Sequence, residues 1–329
     1  MIMRTEDRPG RIHAVPVRHP GRWVAIAIIL VLAAMFVSML LTNPAFDWSF
    51  IFQAMQQTPV LRGFYIGTLL VTVLSMLVGV SGGVILAIMR LSPNPVLSGV
   101  AWLFTWFFRS VPRYVLLTIM GALGILFQKG GLSLGVPFDW KIMQLLGLQG
   151  DLRFLSLNAN ELFAGLFGAV LGLGLSEAAY MAEIARAGIL SVDPGQSEAA
   201  QAIGMNRAQA MRRVILPQAM RVIVPPTGNE TIAMLKDTSL LIAIPLGDEL
   251  FFQLQAIGSR TFQVFPVLVA AVLWYLIICT VLMIAQYYVE RYFGRGYGQA
   301  SRDRNRIRDI GVEHTGRITV IPDGEGGKS

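Results

Sequence analysis

A chain of 329 residues in which 54% are hydrophobic and only 14% charged lies far from the soluble average, which excludes a purely aqueous fold and makes lipid the solvent for much of it. The formal net charge of +7 would suit a nucleic-acid partner, but the arginines gather at the ends of apolar runs, a membrane-topology signal that argues against one. Cys279, the single cysteine, excludes an internal disulfide and a thiolate metal cluster within the chain, and reads as a small buried hydrophobe.

In chain order, Arg4, Arg8, Arg11, Arg18 and Arg22 precede the apolar run Trp23–Leu41. That run is too long for a signal-peptide core, and Leu41-Thr42-Asn43-Pro44 offers no small-x-small cleavage site. Residues 1–22 therefore read as a cytoplasmic segment and 23–42 as a retained membrane anchor. Further apolar runs follow at Gly67–Met89, Leu97–Phe127, Leu162–Ala185 and Phe265–Val289, each at or above the ~20 residues a helix needs to cross a bilayer. The pairs Gly79/Gly83 and Gly168/Gly172 have the GxxxG spacing that lets helices approach closely.

Short loops rich in Lys and Arg stay on the cytoplasmic side. Counting outward from the N-terminal arginines, the loop 42–62 lies outside, Arg90 inside, the segment Lys129–Glu161 outside, and Arg186, Arg207, Arg212, Arg213 and Arg221 inside. One more crossing would leave the tail arginines 291–308 outside, so Val222–Leu246 is expected to cross as well. The result is about six crossings with both termini cytoplasmic. This added crossing carries Pro225, Pro226, Asn229, Glu230, Lys236 and Asp237, groups that cannot face lipid. Either Lys236 and Asp237 sit at the outer interface with Glu230 paired to a neighbouring helix, or a broken helix lines a translocation path. Glu177, Asn229, Glu230, Lys236, Asp237 and Ser239 are the candidate pathway residues. Glu183, one turn from Arg186, reads as an interfacial ion pair.

The most informative stretch runs from Asp193 to Pro217. Pro194-Gly195 breaks the chain, Ser197 is expected to cap a helix, Gly204 to end it in a left-handed conformation, Asn206 to cap a second, and Pro217 to stop that one. Such a helix–turn–helix tethered between two crossings is unsuited to reading DNA. Ala199, Ala200 and Ala202 offer a flat surface and Glu198 a single charge, a helix fit to be gripped in a groove.

The pattern Glu198-Ala199-Ala200, Gly204, Val214, Leu216-Pro217 resembles the EAA loop of ATP-binding-cassette importer permeases, with valine where isoleucine is usual. Around it, Ala179-Tyr180-Met181-Ala182-Glu183-Ile184, Arg186-Ala187-Gly188-Ile189, Gly195-Gln196, Leu216-Pro217-Gln218-Ala219, Pro225-Pro226, Asn229-Glu230 and Thr238-Ser239-Leu240 are similar to the polar amino-acid uptake branch. The resemblance implies an all-α type I importer transmembrane domain over residues 63–292, with a coupling loop at 186–221 and the anchor 23–42 added before it. A cytoplasmic tail over 293–329, expected to be disordered, completes the chain. It also implies ATPase docking through Glu198, Ala199, Ala200, Gly204, Leu216 and Pro217. The implied partners are ATPase subunits that bind ATP and magnesium, a second permease subunit, an extracytoplasmic amino-acid-binding protein and membrane lipid, all at the bacterial plasma membrane. One departure stands out: where the branch has Arg-Gly-Thr-Pro and then apolar residues, this chain has Arg109-Ser110-Val111-Pro112-Arg113-Tyr114, an extra cation at Arg113.

No ATPase motif is present. Gly327-Lys328-Ser329 imitates the end of a phosphate loop, but Pro322 stands where its first glycine belongs. His13, His19 and His314 have no ligand spacing, and no nucleophile–base pair is readable, so the chain is expected to hold no cofactor and catalyse no reaction. A secondary transporter would be favoured by an inverted repeat, and none is detectable.

Overall fold

The computed structural model describes residues 20–123, 132–135, 139–147, 153–157, 163, 165–244 and 246–294. The N-terminal arginines other than Arg22, the three histidines and the tail beyond 294 lie outside the described residues.

The architecture is helical. Helix α1 (Pro20–Thr42) is followed by α2 (Trp48–Met55), α3 (Thr58–Arg90), α4 (Pro95–Ser110) and α5 (Arg113–Ala122). A short α6 (Asp139–Leu146) lies between strands β1 (Leu132–Gly135) and β2 (Arg153–Leu157). Then come α7 (Leu166–Leu190), α8 (Pro194–Ala202), α9 (Arg207–Ala210), α10 (Leu216–Asp237), α11 (Leu250–Thr261) and α12 (Val264–Phe293). The two strands pair antiparallel with Leu132 opposite Leu157, a small ribbon that the hydropathy pattern did not suggest.

Among the described residues, four helices are long and apolar enough to cross a membrane: α1, α3, α7 and α12. Along α1 nearly every side chain is exposed, the pattern of a helix surrounded by lipid. It is tied to the bundle's edge where the Trp48 indole donates to the Leu40 carbonyl at 2.9 Å. Two expected crossings take a different form. The run expected as one helix over 97–127 divides at Val111-Pro112, because proline forces the residue before it out of helical space and Val111 is extended at ψ 126°. The crossing at Val222–Leu246, for which a broken helix is one of two readings, is continuous through its prolines: Pro225 and Pro226 lie inside α10, and the helix only tightens to a 3₁₀ turn at Thr238–Ala243.

The core lies where α7 crosses α3. A side chain at Gly83 would put its Cβ 2.3 Å from the Met181 Cβ, and one at Gly79 would come within 2.5 Å of the Glu177 Cγ. The GxxxG pair at 79/83 therefore does what its spacing suggests. Gly172 of the other pair faces Leu117 of α5 at 3.0 Å, whereas Gly168 turns back on the Phe163 carbonyl. A second core joins Ile51 and Ala54 of α2, Val60 of α3, Leu250 and Leu254 of α11 and Ala270 of α12, all fully buried. There the buried Glu249 caps α11 by accepting from Phe252 N at 2.9 Å, and it also accepts from the Tyr275 and Thr68 hydroxyls.

Gly83→Val is expected to lower stability by about 1–3 kcal/mol through overpacking. Gly99→Ala, where a Cβ meets nothing within 4 Å, should leave it nearly unchanged. Thermal unfolding of the purified variants in detergent checks both.

Candidate functional site

Three acidic side chains converge on one guanidinium inside the bundle. Arg113 is the first residue of α5 and stands immediately after the extended Val111-Pro112 link. Its Nη2 lies 2.9 Å from Glu177 Oε2 of α7 and 3.7 Å from Glu230 Oε2 of α10, and its Nη1 donates to Asp237 at the end of α10. Glu230 and Asp237 share a helix face because they are about two turns apart. Glu177 is fully buried and the Arg113 side chain is 14% exposed. A carboxylate this deep fits because Gly79 of α3 has no side chain to occupy the same space. The Tyr180 ring, one turn along α7, underlies the cluster with the Arg113 Cζ 4.9 Å and the Arg109 Cζ 5.6 Å from its centroid.

The charge balance is uneven. Three carboxylates face one guanidinium, and Glu177 Oε1 is buried with no hydrogen-bond partner. An acceptor left unpaired in low dielectric is costly, and the other guanidinium nearby, that of Arg109, lies over the Tyr180 ring.

Of the six pathway residues expected from the sequence, Glu177, Glu230 and Asp237 meet here. Glu230 is paired with a neighbouring helix, as one reading has it, and its partner is the departing residue Arg113; Asp237, expected at the outer interface in that reading, pairs with the same guanidinium. The others point elsewhere. Asn229 accepts from Gln286 Nε2 of α12 at 3.0 Å, and the same amide also reaches Glu290 Oε1. Lys236 and Ser239 line a separate, mainly apolar cavity of about 530 Å³ with Tyr275 and Cys279. Glu183 pairs with Arg186 at 2.8 Å as expected, and also with Arg90 of α3 at 3.6 Å.

At the end of the bundle beyond Glu183 lies the loop joining α7 to α10, and three of its expected features are corrected. Helix α8 begins earlier than expected: Asp193, not Ser197, is its cap, accepting from Gly195 N at 2.7 Å with Pro194 in the first turn. Pro217 does not stop a helix. Helix α9 passes through a π turn at Met211–Ile215 straight into α10, and the widened turn removes the need for the N–H that Pro217 lacks. Two turn expectations hold: Gly204 is left-handed at φ +82°, and Asn206 caps its helix, in a reciprocal capping box with Gln209 at 2.9 and 3.0 Å. Ala200 is turned inward, 3% exposed, and fastens α8 to the chain rather than lying on its outer surface. Glu198, Ala199 and Ala202 face out, as does Ile203, 74% exposed, an apolar residue with no signal of its own in the sequence. Leu216 lines an apolar cavity of about 690 Å³ between α3, α7, α10 and α12.

Residues 79–295 match the family model described as "Binding-protein-dependent transport system inner membrane component". The chain belongs to that family. It is a multi-pass inner-membrane permease, and ATP hydrolysis belongs to a separate subunit. The permease is 44% identical to the arginine transport system permease protein ArgU of Corynebacterium glutamicum, over 96% of this chain and 94% of that one. Among solved structures, an amino acid ABC transporter crystallised with histidines is 30% identical, with a TM-score of 0.54, covering 71% of this chain and 94% of the other. The inward-facing MetNI methionine ABC transporter, at 19% identity and a TM-score of 0.50 over 72% and 96% of the two chains, shares the fold.

Gly204→Ala would place a side chain at a left-handed residue and is expected to loosen the permease's loop by about 1 kcal/mol or more, roughly fivefold in local opening. Limited proteolysis should show faster cleavage near residues 194–210 with the unfolding temperature of the bundle unchanged.

Proposed function

We propose that this permease imports an amino acid with a cationic side chain, and that Glu177, Glu230 and Asp237 form the acidic station on its path. The observation that carries the reading is the excess of carboxylate over guanidinium at the meeting of α5, α7 and α10, in a cluster whose Glu177 is fully buried and whose Glu230 and Asp237 are partly exposed. A site with surplus negative charge in low dielectric favours a cation and disfavours an anionic amino acid. The arginine transport permease at 44% identity supports the same substrate class.

The partners in this reading are two ATPase subunits that bind ATP and magnesium, a second permease subunit, and an extracytoplasmic amino-acid-binding protein that delivers the substrate. Both termini are cytoplasmic, with segment 1–22 before the anchor 23–42 and segment 293–329 after the permease core 63–292. Within the coupling loop 186–221, the outward face of α8 enters a groove of the ATPase. Glu198 supplies a charge there, Ala199 a flat contact and Ile203 an apolar anchor, while Gly204 and Ala200 hold that face in shape. Leu216 and Pro217 lie at the root of α10, where a push on the loop becomes a movement of that helix. ATP binding biases the permease between conformations with different substrate affinity.

Two substitutions test the assignments separately. Glu198→Arg should leave membrane insertion and arginine binding intact while ATP hydrolysis no longer drives uptake; normal uptake with normal ATPase association in that variant removes the docking role. Glu177→Gln should weaken arginine uptake about tenfold or more through loss of a buried charge-assisted contact. Uptake of labelled arginine at parental affinity in Glu177→Gln overturns the acidic station.

A further inference from the structure

We infer that Arg113 is a tethered stand-in for the substrate: when no amino acid is bound, its guanidinium occupies the acidic cluster that receives the substrate's cationic group, and it must leave before the substrate can enter. This rests on the acidic cluster being the substrate station.

Four observations carry it. Glu177, Glu230 and Asp237 all face the same guanidinium, more acceptors than are needed to neutralise one arginine. The buried Glu177 Oε1 has no partner, so an acceptor stands ready for a donor that Arg113 does not supply. Arg113 is also the first residue of α5, where the helix dipole disfavours a cation. Its position is therefore set by the carboxylates and not by its own helix. Finally, the Tyr180 ring, with the Arg113 Cζ at 4.9 Å and the Arg109 Cζ at 5.6 Å from its centroid, accepts planar cations and does not distinguish a side chain of the protein from one of the substrate.

A purely structural ion pair accounts for none of the surplus. In a helix bundle that pairs a buried acid for stability alone, one carboxylate per guanidinium suffices, and the second and third add repulsion. The surplus is explained if the cluster exchanges one cation for another. Arg113 then keeps the station filled between turnovers, so that inorganic cations do not settle there, and it acts as an internal competitor that lowers apparent affinity. A station filled by Arg113 about nine-tenths of the time binds substrate about tenfold more weakly than an empty one.

The test is equilibrium binding of radiolabelled L-arginine to the intact permease–ATPase complex in nanodiscs, with L-citrulline as the neutral isostere. Arg113→Gln should bind L-arginine about tenfold more tightly than the parent, with citrulline binding little changed. Arg113→Lys should fall between, because a single ammonium cannot bridge Glu177 and Asp237 as a fork does. If Arg113→Gln fails to assemble, the gain in Arg113→Lys decides the question. Arginine binding no tighter than the parent's in both variants, while Glu177→Gln weakens it, overturns the stand-in role and leaves the acidic station in place. Parental arginine binding in Glu177→Gln instead removes the station itself, and the inference with it.

Discussion

The contact between α3 and α7 positions the rest of the molecule, because glycine at 79 and 83 brings the two helices together almost backbone to backbone. Without a Cβ at 79 the Glu177 side chain has somewhere to lie, and without one at 83 Met181 and Ala182 can press against α3. The close approach at Gly188, where a Cβ would stand 2.3 Å from Ile223, does the same between α7 and α10. Helix α7 thus becomes the central element, touched by α3, α4, α5 and α10. In lipid, where no hydrophobic effect drives helices together, such small-residue contacts supply the packing that holds the bundle.

From this follows the path by which a distant loop can act on the cluster. Helix α10 begins beside the loop and ends at Asp237, and 22 residues of continuous helix reach about 33 Å. Its three prolines do not divide it: Pro217 follows a π turn, and Pro225 and Pro226 lie inside one continuous helix that Gln286 of α12 braces by donating to the Pro225 carbonyl at 3.4 Å. In the proposed reading, a displacement at Leu216 travels along this helix to Glu230 and Asp237. The carboxylates that move are on α10, while Glu177 stays with α7 and Arg113 with α5. A cluster shared among three elements is one whose geometry changes when any of them shifts, which suits a site that must take up and release its ligand.

Much of this was legible in the chain itself. The apolar runs announce α1, α3, α7 and α12, since burial in lipid demands continuous apolar length whatever the neighbours. Local chemistry marked Gly204 and Asn206 at their turns, because caps and left-handed residues depend on atoms only a few positions away. The same locality misled at Ser197 and Pro217. Asp193 lay upstream as a better-placed cap, and whether a proline ends a helix depends on how the turn before it is wound. Ile203 carried no signal beyond being apolar, and only its exposure sets it apart.

The sequence by itself determined a multi-crossing helical membrane protein, the position of its loop with the turns at Gly204 and Asn206, and the presence of acidic residues that lipid would not accept. It could not say which charges would meet. Arg113 and Asp237 are 124 positions apart and Arg113 and Glu177 are 64, so their pairing depends on the crossing of α5, α7 and α10 and on the space left at Gly79. The same packing turned Asn229 toward Gln286 and Lys236 into another cavity, although both neighbour cluster residues in the chain. Adjacent positions on a helix point about 100° apart, so proximity in sequence says little about which side of a helix a charge will serve. Only the tertiary structure decides that.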